Sequence, residues 1–426
     1  MGLHYITAVA WVVGMLFAPD NLVLLGQSAG SNGVGLIFLL LFVMSAYIAH
    51  SRCYKNIMAF QPGAAGEFKW MAHSMGPAVA AVLSIAPRVL SAVFLATAAL
   101  VAAGFVFNEV FVQRFPNFAF AFLMLGAFLA INLYLRQISD KIQILLSGTA
   151  VIGIFFLAAA GIFEWLKTYE IVYTVTLFPS LKGSVSVLLL FVGFDLLLFL
   201  PNNTIKHPFF LQNYWVVGIL IAGIMFCFWG VVSFLYVPAE RLAGTFIPHI
   251  LVAKNILGQA GRYIMGLVII AGAGAAVNVL FKAVGGMVID LGRNASLAFM
   301  SRFLSRPPIT LILLSLVIVI MMALGVAGTD ELDTYIRGSL ILWLLNYAFI
   351  HLTFLLGGAQ RSPKENQPLS RRQNMSHGAI FLLMLAGSGI LIATDDNVGL
   401  LIRYFGIITF GVGLPAWLIG RGRSRH

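Results

Sequence analysis

The chain has 426 residues, 60% of them apolar and 10% charged, with a mean hydropathy of +0.97. An ordinary soluble domain carries about 25% charged residues, so too few are present here to coat a soluble globule, and lipid takes the place of the missing polar shell. The net charge of +11 does not indicate nucleic acid, because Lys and Arg fall in short connections between long apolar runs, where anionic lipid and the positive-inside bias account for them.

A spanning helix takes roughly 20 mainly apolar residues. Twelve segments qualify or nearly qualify: about 5–29, 34–51, 78–107, 118–135, 142–165, 185–203, 213–236, 263–291, 309–328, 335–357, 376–393 and 398–419. The first residues, MGLHYITAVAWVVGM, lack a basic leader and a clear cleavage site, and read as the first span. That span is interrupted by Pro19-Asp20-Asn21. The sixth is interrupted by Gly193 and Asp195 and closed by Pro201. Residues 237–262 leave room for a surface helix beginning near Pro238 and Glu240, and 358–375 reads as a polar linker. The Gly-Ala-Gly-Ala-Ala run at 272–276 suits close helix packing, not a phosphate cradle. With no Walker loop in a soluble context, an ATP-driven pump would need a separate subunit. No cofactor and no enzyme activity is expected. Cys53 and Cys227 form no disulfide framework and no metal cluster, and His4, His50, His73 and His351 show no metal-ligand spacing. No metal site is therefore expected.

Placing the N-terminus in the cytoplasm puts Arg52, Lys55, Lys69, Arg136, Lys141, Lys206, Arg293, Arg302, Arg306, Arg361, Lys364, Arg371, Arg372, Arg421, Arg423 and Arg425 on the inside. The outside then holds Arg114, Lys167, Lys182, Arg241, Lys254, Arg262, Arg337 and Arg403. This excess predicts both termini on the cytoplasmic side of a cell inner membrane.

Breaking a helix in lipid exposes backbone polar groups, so a break belongs where it faces protein, water, an ion or substrate. The two breaks lie five spans apart, which suggests a five-helix unit repeated with inverted topology and a binding site at the paired breaks. The predicted binding residues are Gly14, Met15 and Phe17 at the first break, and Phe191, Gly193, Phe194 and Asp195 at the second. Asp195 is the leading candidate, as a proton acceptor, a cation ligand or a salt-bridge partner. Coupling or gating candidates are Asp20, Arg88, Asn278, Lys282 and Asp290. Lys282 either stands in for a coupling ion or pairs with an aspartate, and Asn278 either faces the cavity or bridges helices. Trp11, Phe228 and Trp229 either line the cavity or pack.

Three stretches resemble the amino acid–polyamine–organocation transporter superfamily. Cys53 to Phe68, CYKNIMAFQPGAAGEF, resembles its turn between spans two and three, and Met75-Gly76-Pro77 its start of span three. Phe191 to Asp195, with Lys206 and Pro208 beyond, resembles its broken sixth span, and Asn278 to Asn294 its eighth. The chain departs from the family at Gly14-Met15-Leu16-Phe17, where Gly-Ser-Gly-Ile-Phe is common, and at Pro201-Asn202-Asn203, where paired acids are common. The resemblance implies an all-α, LeuT-like fold of two inverted repeats, 1–170 and 171–360, with terminal spans in 361–426. It implies a permease carrying an amino acid or related organic amine by alternating access, driven by protons, or by sodium or exchange. A channel and a non-transporting receptor are the other classes. The sequence does not speak to oligomeric state.

Overall fold

The computed structural model describes residues 2–60, 64–168, 180–200, 211–293, 305–356 and 371–423. Pro201-Asn202-Asn203, Lys206, Pro208 and Asn294 lie outside the described residues, as does most of the polar stretch 358–375. The described chain is all helical. Its elements are α1 Gly2–Leu16, α2 Pro19–Asn32, α3 Gly35–Phe60 and α4 Ala64–Met75. Next come α5 Pro77–Phe111, α6 Asn117–Tyr134, α7 Arg136–Thr168 and α8 Leu181–Phe199. Then follow α9 Leu211–Tyr236, α10 Ala239–Gly244, α11 Pro248–Arg293 and α12 Pro307–Ala323. The chain closes with α13 Asp330–Leu355, α14 Arg371–Ala393 and α15 Val398–Leu418.

Among the described residues ten helices are long and apolar enough to cross a membrane, or eleven when the bent pair α1 and α2 is counted as one broken span. These fall on the predicted segments. The predicted ninth span is shorter than expected. It ends at Ala323 because Gly325 and Gly328 take left-handed conformations, at φ 66° and 84°. Its 17 residues reach about 26 Å, short of a hydrocarbon core of about 30 Å. The surface helix expected after Pro238 is α10, and α11 joins a short helix from Pro248 to the predicted span across a kink at Leu257 and Gly258, the latter at φ 60°.

The layering follows from composition. In α11, 83% of the apolar window is buried, with 78% in α13 and 72% in α8, whereas α6 and α15 bury only 22%. A helix apolar on all sides is stable inside a bundle or in lipid, and both cases occur here. Leu123, Phe155, Leu316 and Phe410 point outward, as lipid contact requires. At the centre, α11 packs against α7, α5 and α1, while α13 packs against α14 and α5. The small residues of 272–276 allow this. A Cβ on Gly272 would run into the Phe17 carbonyl oxygen, so the glycine lets α11 approach the break in span one, as the sequence suggested.

The two breaks have separate causes. Pro19 holds Ala18 extended, at φ −56° and ψ 146°, and opens α2 as its first residue, so α1 and α2 meet at 58°. In α8 a short α-helix, Leu181–Ser186, tightens to a 3-10 turn, Val187–Phe191. Gly193 then takes φ 95° before a second 3-10 turn, Phe194–Phe199. An L-residue in that conformation costs roughly 1–2 kcal/mol, and a Cβ would also stand 2.8 Å from Met15 Cγ. Gly193→Ala is therefore expected to lower stability by about 2 kcal/mol or more. Chemical unfolding in detergent micelles checks this, and an unchanged midpoint would refute the strained role. A third irregularity lies in α5. Pro87 has no N–H to give its preceding turn, and the chain widens into a π turn at Ala81–Ile85 just before Arg88.

Candidate functional site: paired breaks and a histidine–cysteine cluster

The breaks face each other. Met15 lies against Gly193, and Phe17 and Phe191 both pack on Phe226, at ring-centroid separations of 5.4 and 5.8 Å. Interrupted helices leave carbonyls without ladder partners, and side chains supply the missing donors. Asn21 Nδ2 donates to Leu16 O at 2.9 Å and to Leu190 O at 3.3 Å, one carbonyl from each break. Tyr47 Oη donates to Leu188 O at 2.6 Å. Gly14 faces Gln143, Ser147 and Ala275, so its place is one of close packing. Asp20 sits in the first turn of α2, where the helix dipole favours a carboxylate. One of its oxygens has no hydrogen-bond partner.

Asp195 is fully buried, and its charge is already matched. Arg88 on α5 donates to it through Nη2. Tyr347 Oη donates at 2.5 Å, Trp343 Nε1 at 3.2 Å and Tyr54 Oη at 3.4 Å. The same guanidinium grips Glu67 of α4 with both ends, Nη1 to Oε1 at 2.8 Å and Nη2 to Oε2 at 2.9 Å. Asn346 also donates to Glu67, at 2.8 Å. Phe199 and Trp343 present ring faces 4.6 and 5.2 Å from the guanidinium carbon. Of the roles weighed for Asp195, the structure shows the salt-bridge partner.

Asn278 bridges helices. It accepts from Asn132 Nδ2 at 2.9 Å and Ser139 Oγ at 3.0 Å, and it donates to Gln143 Oε1 at 2.9 Å. Gln143 and Ser147 in turn donate to the Ala10 carbonyl of α1, at 3.2 and 2.8 Å. One helical turn further along α11, Lys282 is paired with Asp140 and lies 4.7 Å from the Trp11 ring centroid. Both groups pin α1 to α7 and α11. Asp290 is in the last turns of α11, remote in sequence from either break. Trp11 and Trp229 are packed inside, and Phe228 is exposed on the lipid-facing side.

Beside the sixth-span break is a cluster that the sequence did not announce. His50, Cys53 and His351 converge, with ligand atoms all within 4.8 Å of one another, and all three are buried. His50 Nδ1 lies 2.9 Å from His351 Nε2, and Cys53 Sγ lies 3.9 Å from that nitrogen. His377 of α14 extends the group, with its Nδ1 2.9 Å from His351 Nδ1 and 3.8 Å from Cys53 Sγ. His50 also packs on Tyr347, 4.5 Å between ring centroids, and on Phe194, so the cluster touches the residues that hold Gly193 and Asp195. The expectation of no metal-ligand cluster is corrected here. His50 and Cys53 are one helical turn apart on α3, but His351 lies about 300 residues away, with a separation of 301 from His50. No local spacing reveals such a set. The available signal was polar residues, Asn346 and His351, inside the apolar run of α13.

Neither a protein-family model nor a curated protein matches the chain. Solved structures do. A manganese transporter of Eremococcus coleocola, in complex with an aromatic bis-isothiourea-substituted compound, aligns over 98% of this chain and 95% of its own, with a TM-score of 0.65 at 11% identity. A histidine-to-alanine mutant of that transporter aligns over the same shares, with a TM-score of 0.55 at 14% identity. At that identity the likeness establishes the fold, a LeuT-like multi-span architecture with a discontinuous first span, as the motif resemblance implied. The expected amino-acid or amine cargo does not stand. Its anchoring carboxylate, Asp195, is taken up by Arg88, the structure gathers metal-ligating side chains instead, and the matching structures are of a metal transporter.

Proposed function

We propose that this chain is a secondary transporter that moves a transition-metal ion across the membrane by alternating access. The observation that carries this reading is the buried convergence of His50, Cys53 and His351 against the broken sixth span. Imidazole and thiol side chains are ligands for such ions. A site held by α3 and α13 and touching α8 changes shape when the broken helix moves. The manganese-transporter likeness of the fold supports the class of cargo. The division into repeats 1–170 and 171–360, with 361–426 appended, belongs to the same reading. So does an orientation with both termini cytoplasmic, which places the cluster toward the cytoplasmic end of α3 and α13. The motif resemblance to the amino acid–polyamine–organocation superfamily agrees with this architecture.

Proteoliposomes enclosing a metal-sensitive dye test the proposal. Saturable uptake of a divalent transition ion is expected, with His351→Ala slowing uptake at low ion concentration by roughly tenfold or more. Absence of uptake for every transition ion tried, or an unaltered rate in His351→Ala, would sink it.

A further inference from the structure

His351 presents its two ring nitrogens to two different neighbours. Nε2 lies 2.9 Å from His50 Nδ1, and Nδ1 lies 2.9 Å from His377 Nδ1. Cys53 Sγ is nearly equidistant from the two, at 3.9 and 3.8 Å. Two three-donor triangles therefore share Cys53 and His351, an inner one closed by His50 and an outer one closed by His377. One imidazole gives one ion only one nitrogen, so the triangles are alternatives.

The outer triangle fits an ion. In a tetrahedral site, nitrogen donors stand about 3.3 Å apart, and sulfur about 3.6 Å from nitrogen. The outer set has 2.9 Å between nitrogens and 3.8 Å from sulfur to each of them. Shifts of a few tenths of an ångström seat the ion. His50 then has a distinct part. With Nδ1 of His351 turned to the ion, its Nε2–H points at His50 Nδ1, the hydrogen bond that fixes the tautomer and aim of a ligating histidine. Phe354 stacks on His377 at 4.8 Å and backs its ring. The inner residues are buried, whereas His377 is half-buried and follows the exposed turn Gln373–Ser376. Three protein ligands leave a fourth position for water or another donor.

The donor set also selects. Thiolate and imidazole suit zinc, cobalt and copper, while manganese, magnesium and calcium want carboxylate, carbonyl and water oxygens. Among the described residues the cluster offers no carboxylate ligand. We propose that Cys53, His351 and His377 form a three-ligand transition-metal site, oriented by His50, that takes zinc- or cobalt-class ions in preference to manganese or magnesium. The proposal rests on reading the cluster as a metal site, and goes beyond that reading in its ligands and its selectivity.

Equilibrium titration of the detergent-solubilised full chain with Co2+ tests it, read by the visible bands of the ion and its thiolate charge-transfer absorption. One Co2+ per chain is expected, displaced by Zn2+ and undisturbed by about a hundredfold excess of Mn2+. Cys53→Ser should remove the charge-transfer band. His377→Gln should weaken Co2+ binding at least about tenfold, and His50→Gln by about 10- to 100-fold with the sulfur band retained. Wild-type affinity in His377→Gln, with loss in His50→Gln, would move the site to the inner triangle and overturn this assignment while the metal reading stands. Displacement of Co2+ by an equal concentration of Mn2+ would overturn the selectivity. No binding of any ion would overturn both. The Mn2+ competition uses the wild-type chain, so it decides even if a variant fails to fold.

Discussion

Arg88→Ala is expected to lower stability by about 3–5 kcal/mol, the usual result of removing one partner from a buried ion cluster. Arg88, Glu67 and Asp195 are all fully buried. Taking away the guanidinium leaves two buried carboxylates without their shared counter-charge. Tyr347, Trp343, Tyr54 and Asn346 still donate to the carboxylates, which limits the loss. Arg88→Lys should fall between, because it keeps the charge and gives up the two-pronged grip on Glu67. Arg88→Met combined with Glu67→Leu should recover part of the loss, since removing both members of a buried pair costs less than removing one. Unfolding titrations in mixed micelles measure all three. If the single and double variants unfold at the same point, the guanidinium is not compensating Glu67.

The triad also explains what α8 gains from its break. Beyond Gly193, Asp195 pairs with the guanidinium and Phe199 lies against it, while Arg88 follows the π turn of α5. The π turn before Pro87 went unread in the sequence, but the break at Gly193 was legible in its glycine. Their meeting was not, since Glu67 and Asp195 lie 21 and 107 residues from Arg88.

This division runs through the molecule. Hydropathy located the spans because each must satisfy its own backbone in lipid, and Pro19 and Gly193 marked the breaks because proline and glycine act on their own turn. Partners across helices were harder to read. Asp195 stood out as an acid in an apolar run, yet the run alone does not say whether it meets a substrate amine or an arginine. Asn278 was singled out for a similar reason, and the bridging alternative is what the structure shows. The His50, Cys53 and His351 cluster was missed because α3, which carries His50 and Cys53, adjoins α13, which carries His351, only once the bundle closes.

Asn21→Leu is expected to cost about 2–6 kcal/mol and to loosen the two breaks from each other. The Asn21 amide donates to Leu16 O on one side and Leu190 O on the other. Leucine nearly matches its size and offers no hydrogen, so two buried carbonyls lose a donor at about 1–3 kcal/mol each. Asn21→Asp should be worse, since it turns a carboxylate oxygen toward two carbonyl oxygens. The consequence reaches beyond stability. Pro19 and Gly193 already free both segments from their helical ladders, and this amide is a polar tie from one break to the other. In hydrogen exchange followed by mass spectrometry, the amides around Leu16–Ala18 and Leu190–Gly193 should exchange faster in Asn21→Leu, with the far ends of α11 and α13 unchanged. Equal acceleration everywhere would mean that the bundle as a whole had weakened. No acceleration at either break would mean that Met15, Phe17 and Phe191 hold them together by packing alone. A local effect at both breaks makes Asn21 a polar tie that holds the interruption before α2 and the interruption of α8 together.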